Sequence, residues 1–247
     1  MTAAPLLSVR NLSKTYTRRR WWGADKTAPA ALHNVSFTLD AGRTLAVVGP
    51  SGSGKTTLAR CLASFEKPSS GEIVFQGAAQ EIQLIFQQPA ASLNPRFTAA
   101  QAIEEPLLIQ RRAAGDAVIR ALDQVGLPQA SLHKRCDQFS GGEKQRLAIA
   151  RALVLEPKLI ILDESLTGLD VTLQSQIVDL LRTLQAATNF ACILISHDLG
   201  LAADFASEIA VMDRGALIEH APAAALFDHP SQPLTRELLA ATRALTL

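Results

Sequence analysis

A short apolar run, Thr44 to Val48, leads into GPSGSGKTT from Gly49 to Thr57, and behind it Leu58, Cys61, Leu62 and Phe65 recur at i, i+3, i+4 and i+7. Strand, glycine-rich loop and helix in that order commit the chain to an α/β core whose loop opens at the C-terminal edge of a sheet. Gly49, Gly54, Lys55 and Thr56 stand in P-loop register. The backbone through Gly49, Pro50, Ser51, Gly52, Ser53 and Gly54 can therefore curl around phosphate oxygens, while Lys55, Thr56 and Thr57 open the helix that follows. A glycine turn that merely capped a helix would not need Lys directly after Gly54 and Thr after that.

The other strands read from the same patterns. Val35, Phe37 and Leu39 alternate with polar residues as a half-exposed antiparallel strand, with Leu7 and Val9 in its neighbour. Ile73 to Phe75 and Gln83 to Phe86 are two further strands. Beyond Pro89 no strand pattern appears until Leu159. Val118, Leu122 and Val125 have helical spacing, and Gly126 with Pro128 ends that helix. Residues 87–156 are therefore expected to form an inserted helical subdomain, with 1–86 and 157–247 making the catalytic core and its antiparallel β subdomain in a single domain of 247 residues. Leu159 to Leu162 and Ala191 to Ile195 are buried-type strands, joined by a helix with Leu173, Ile177, Leu180, Leu181 and Leu184 on one face. Ile209 to Met212 and Ala216 to Glu219 read as a hairpin around Asp213, Arg214 and Gly215.

With 24 Lys and Arg against 23 Asp and Glu, the net charge of +1 gives no global attraction to nucleic acid or an anionic bilayer. Cys61, Cys136 and Cys192 lack metal-ligand spacing and fit a reducing compartment. The N-terminal MTAAPLLSVRNLSK has no signal-peptide core, and no run approaches the ~20 apolar residues that span a bilayer.

Several residues can serve a bound triphosphate. Lys55 can bridge the outer phosphates, and the Thr56 hydroxyl can ligate Mg2+. Asp163 ends a buried strand and is expected to hold Mg2+ through water; Glu164 follows it as candidate general base, the alternative being a solvated acid pair in a turn. His197 ends the next strand, either as a structural residue or as a neutral imidazole that orients the attacking water. Tyr16 is either a packing residue of the N-terminal strand or a flat platform for adenine. In FSGGEKQR, Ser140 and Glu143 have capping-box spacing, and Gly141 with Gly142 leaves amides bare in a first turn, as an anion site requires.

Together these residues resemble the ATPase subunit of an ATP-binding cassette transporter over nearly the whole length. The resemblance includes Tyr16, the P-loop, Gln87 in IFQQP, the signature FSGGEKQR, the strand ending in Asp163 and Glu164, TGLD from Thr167 to Asp170, and His197. Signature and TGLD carry the most weight, because other P-loop ATPase families lack them. The insertion after Tyr16, ASLNPR from Ala91 to Arg96 and the tail HPSQPLTRELL are similar to the peptide and nickel importer branch.

The fold that this resemblance implies is a RecA-like P-loop core. The implied reaction is hydrolysis of ATP to ADP and phosphate with Mg2+. A second ATPase subunit, identical or paralogous, would present Ser140, Gly141, Gly142 and Glu143 to the first subunit's ATP. Gln87 would join Mg2+ and the catalytic set of Lys55, Glu164 and His197, and a cytoplasmic helix of a membrane permease would dock near Gln87 and ASLNPR. A solute-binding protein would act upstream, the location would be the cytoplasmic face of the inner membrane, and nucleic acid would take no part. The alternative is a soluble cassette ATPase of a phosphonate-degrading complex. A DNA-repair or translation module would need long coiled arms or tandem cassettes, which this sequence lacks. Glu143 and Ser165 depart from the family's usual glutamine and proline. Arg18, Arg19, Arg20, Trp21 and Trp22 make a basic-aromatic run that reads equally as a membrane or permease contact and as a solvated loop.

Overall fold

A computed structural model describes residues 4–16, 19–20, 23–24, 30–86 and 89–245. Arg18, Trp21, Trp22 and Gln87 lie outside the described residues. In chain order the strands and helices are β1 (Leu7–Thr15), β2 (Arg19–Arg20), β3 (Gly23–Ala24), β4 (Ala30–Leu39), β5 (Thr44–Val48), α1 (Lys55–Leu62), β6 (Ser70–Phe75) and β7 (Ile82–Ile85). They continue with α2 (Ala99–Ile109), α3 (Ala117–Gln124), α4 (Gly141–Leu153), β8 (Leu159–Asp163), α5 (Val171–Thr188), β9 (Ala191–Ser196) and α6 (Leu199–Phe205). The hairpin strands β10 (Glu208–Asp213) and β11 (Ala216–Pro222) and the helices α7 (Ala223–Asp228) and α8 (Pro233–Leu245) close the chain. It divides into two compact units, Met1–Ala79 with Ala191–Leu247, and Gln80–Phe190.

In the first unit β1 is the middle strand of an antiparallel sheet in the order β4-β1-β6. Leu7 faces Leu39 and Phe75, and Val9 faces Phe37 and Ile73, so the alternation read from the sequence places Leu7, Val9, Val35, Phe37 and Leu39 in the core. Tyr16 lies one residue past the end of β1 rather than within it. A second group of strands runs β11-β10-β5-β9, with β5 parallel to both β10 and β9 and β11 antiparallel at the edge. Every residue of β5 and β9 is buried, which is why both read as unbroken apolar runs rather than as alternations. Arg214 and Gly215, at φ 46° and 83°, turn β10 into β11 with the two left-handed residues that a tight hairpin needs.

Helix α1 buries Leu58, Cys61 and Leu62 as expected, but not Phe65. Ser64 adopts φ 60°, the helix stops at Leu62, and Phe65 is 65% exposed. Its i+7 position has no helix under it.

The second unit pairs β7 with β8 in parallel, Ile82 opposite Leu159 and Ile85 opposite Leu162. Phe86 falls outside β7 and is exposed. Among the described residues between Pro89 and Glu156 the regular elements are helical, apart from one isolated bridge between Thr98 and Arg135. Their core is Ile103, Leu107, Leu122, Val125, Leu147 and Ile149. The compact unit is wider than the 87–156 segment because β7 and β8, which lead into and out of the helices, pair side by side. Helix α5 buries Ile177, Val178, Leu181 and Leu184, while Leu173 and Leu180 are half-buried.

Candidate functional site

The P-loop is held from behind by backbone. A Cβ on Gly49 would come within 2.2 Å of the Met212 carbonyl oxygen, and one on Gly54 within 2.4 Å of that of Ala31. The Gly215 N–H donates to the Ser53 carbonyl at 2.9 Å, and the His33 N–H donates to the Gly215 carbonyl at 2.7 Å. The hairpin turn and β4 are thus stitched to the loop. The turn is encoded locally, whereas this task of Gly215 is not, because the bonds join residues far apart in the chain.

At the working face the loop is bare. A Cβ on Gly52, at φ 80°, would meet nothing within 4 Å. The first turn of α1 contains no acidic residue and receives no side-chain cap from Gly54. Its amides and the positive end of the helix dipole therefore favour an anion. Lys55 is 5% exposed, and its ammonium donates to the carbonyls of Gly49 at 2.8 Å and Pro50 at 3.0 Å, closing the loop on itself. Positive donors without an opposing carboxylate in that turn are what a polyphosphate requires.

Tyr16 is 43% exposed and its phenol donates to the Glu66 carboxylate. Burial and then this bond raise the Tyr16 pKa, and the same bond leads the causes that lower that of Glu66. Lys14 and Arg60 each approach Glu66 at 3.5 Å, and the Lys14 ammonium lies 5.1 Å from the centroid of the Tyr16 ring. His197 is exposed in the turn between β9 and α6. The turn is fixed by Asp198, whose carboxylate accepts from Gly200 N–H at 2.8 Å and Leu201 N–H at 3.1 Å.

In the second unit Asp163 ends the fully buried β8 and is itself 5% exposed. Glu164 follows in a left-handed conformation, φ 48°. Thr167 grips the Glu164 carbonyl twice, through its N–H at 3.2 Å and its hydroxyl at 2.5 Å. Asp170, read from the sequence as part of TGLD, caps α5 by accepting from Leu173 N–H at 2.9 Å.

The capping box read in FSGGEKQR is formed: the Ser140 hydroxyl accepts from Glu143 N–H at 3.3 Å, and the Glu143 carboxylate accepts from Ser140 N–H at 2.8 Å. That backbone bond is the main cause holding Glu143 below the ordinary carboxylate range, and Lys134 at 3.4 Å adds to it. Glu143 is therefore turned back on its own helix. A Cβ on Gly141 would meet nothing within 4 Å, whereas one on Gly142 would strike the Leu173 side chain at 2.7 Å. The start of α4 thus packs against the start of α5, and a side chain at Gly142 would have to displace the tip of Leu173. Gln145 on α4 is buried and reaches the Ser165 carbonyl, a link that sequence spacing gave no sign of.

A cavity of about 250 Å³ in this unit is lined by Leu84, Phe86, Ser92, Pro106, Ile109 and Arg151 among others. Its rim exposes Phe86 and Ile109, at 43% and 74%. None of the helices among the described residues is long and apolar enough to cross a membrane.

Residues 32–167 match the family model described as ABC transporter. A probable peptide ABC transporter ATP-binding protein of Sinorhizobium fredii is 41% identical over 254 residues, covering 96% of this chain and 72% of that protein. A dipeptide transport ATP-binding protein of Escherichia coli is 39% identical, with 98% and 77% covered. Among solved structures, a dimeric ATP-binding cassette in a post-hydrolysis state bound to ADP and Pi superposes with a TM-score of 0.74 at 27% identity, over 88% of this chain and 98% of that one. A Clostridium perfringens component of an ABC transporter complex gives 0.80 at 24% identity over 99% and 100%, a likeness of fold.

Proposed function

We propose, from the premise that this chain belongs to the ABC transporter family as an ATP-binding subunit, that it is the ATPase that drives an importer of peptides or of a related small solute such as nickel. The observation that carries nucleotide binding is the first turn of α1, free of acid, without a side-chain cap from Gly54 and opened by Lys55, while the import reading rests on the names of its relatives. Its relatives are named for transport, so the non-transporting alternative has no support here.

In this reading the P-loop from Gly49 to Thr57 binds the triphosphate, Lys55 exchanges its own-loop carbonyls for phosphate oxygens, and Tyr16 stacks on the adenine. Thr56, Gln87 and Asp163 would hold Mg2+. A set so poor in carboxylates fits an ion that takes its remaining ligands from phosphates and water. Bound there, Mg2+ would neutralise charge on the transferring phosphoryl group. Glu164 takes a proton from the attacking water and His197 orients it. Ser140, Gly141 and Gly142 would face the terminal phosphate held by a second ATPase subunit; Glu143, occupied with its cap, supports the fold of that loop rather than binding phosphate.

The exposed Phe86 and Ile109 at the rim of this cavity would offer an apolar contact to one cytoplasmic helix of a permease. The subunit would then sit peripherally on the cytoplasmic face of the membrane, with a solute-binding protein supplying the cargo. The test is Glu164→Gln. With Mg-ATP, the variant should keep nucleotide affinity, lose at least ~100-fold in turnover, and move from monomer to dimer in a sizing experiment. Turnover within a few-fold of the native protein, or no dimer at saturating Mg-ATP, would overturn the reading.

A further inference from the structure

Tyr16 is anchored at its tip rather than along its ring. Its phenol donates to Glu66, a residue 50 positions later, just beyond the end of α1. Glu66 is held in turn between Lys14 and Arg60, each at 3.5 Å. The Lys14 ammonium also anchors to the Lys67 carbonyl at 2.8 Å, so the cation over one ring face is itself fixed. The ring remains 43% exposed. A flat aromatic that is exposed, locked at its hydroxyl and backed by a cation on one face is a pre-organised platform for a planar ligand on the other. Its anchor lies in the turn that follows the helix opened by the P-loop.

We infer that Glu66 is a positioning residue for the nucleotide base: by fixing the Tyr16 phenol to the turn that follows α1, it sets the distance between the base platform and the phosphate loop. The inference rests on the reading of Tyr16 as that platform. Stacking accepts any purine face, so the device favours a purine nucleotide over bare polyphosphate without choosing between adenine and guanine.

Calorimetric binding of ATP, GTP and inorganic tripolyphosphate to the full chain tests this. Glu66→Ala and Tyr16→Phe should each weaken ATP and GTP by roughly three- to tenfold, and the double variant should be no worse than either, because both remove one bond. Tripolyphosphate affinity should not change. Glu66→Gln, which keeps an acceptor for the phenol but loses the ionic clamp, should fall between native and Glu66→Ala. Additive losses in the double variant, or a parallel loss of tripolyphosphate binding, would overturn the inference. Tyr16→Ala separates the two levels. If it leaves ATP affinity unchanged, the platform reading fails and takes the inference with it. If it weakens ATP while Glu66→Ala does not, the platform stands and the role of Glu66 is refuted.

Discussion

The side-chain amide of Gln145 donates a 3.1 Å hydrogen bond to the main-chain carbonyl of Ser165, and both residues are buried. Gln145 stands on the helix that Ser140 caps, and Ser165 directly follows Glu164. With Thr167 gripping the Glu164 carbonyl, two successive carbonyls of the left-handed turn at Glu164 are held. The segment proposed to face a partner's nucleotide is thereby bonded to the segment proposed to activate water. Gln145→Leu keeps the side chain's bulk and strands a buried carbonyl, a loss of about 1–3 kcal/mol. Turnover should fall while ATP affinity holds, since the P-loop belongs to the other compact unit. Thermal unfolding and steady-state kinetics read both effects, and native values of each would refute the link.

Lys55 is expected to matter for binding before chemistry. Its ammonium sits within its own loop on the Gly49 and Pro50 carbonyls, poised where an incoming phosphate supplies stronger acceptors. Lys55→Ala removes a charge-assisted bond of about 1.5–3 kcal/mol, so ATP should bind roughly 10- to 100-fold more weakly by calorimetry. Unchanged affinity would remove Lys55 from the phosphate site.

What the sequence revealed and what it hid divide along chain separation. The P-loop, the buried strands and the Ser140–Glu143 box were legible because each is encoded by neighbours within a turn or a strand. Phe65 departs from the helical period of α1 because the helix stops at Leu62 and Ser64 turns left-handed, without a glycine to mark the end. Tyr16 with Glu66, Gly215 with Ser53, and Gln145 with Ser165 were invisible for another reason. Each pair is brought together by tertiary packing, and no periodicity joins partners 20 to 162 residues apart.

The Glu143 box predicts a pH dependence. The Glu143 carboxyl is held below its ordinary value of 4.5 by the Ser140 N–H first and by Lys134 as well. A depressed folded-state value means that the stabilisation is complete above 4.5 and is lost as pH falls through the folded value. The stability gap between the native protein and Glu143→Ala should therefore be widest at neutral pH and close in acid, while Ser140→Ala should cost about 1 kcal/mol at neutral pH. Denaturant unfolding at neutral pH and well below 4.5 checks the sign. A gap for Glu143→Ala that is constant across that range would show that the carboxylate is not capping.

The C-terminal segment depends on one carboxylate. Glu219 on β11 accepts from Ser231 N–H at 2.7 Å, Ser231 hydroxyl at 2.8 Å and Gln232 N–H at 3.1 Å, and also from the Thr235 hydroxyl. Burial alone would raise the Glu219 pKa, yet these donors bring it below the ordinary value. Ser231 is exposed and can turn to water, but Thr235 is 0% exposed and cannot. Glu219→Ala should therefore cost about 1–3 kcal/mol, chiefly through the stranded Thr235 hydroxyl, and should loosen α8 rather than unfold the P-loop. Hydrogen exchange should quicken from Ser231 through α8 and stay native in β5 and α1. In Glu219→Ala with Thr235→Val, which removes both partners, much of the loss should be recovered, because no buried hydroxyl then lacks an acceptor. Native exchange rates in Glu219→Ala, or equal loosening of β5, would show that the tail is held by its apolar contacts instead.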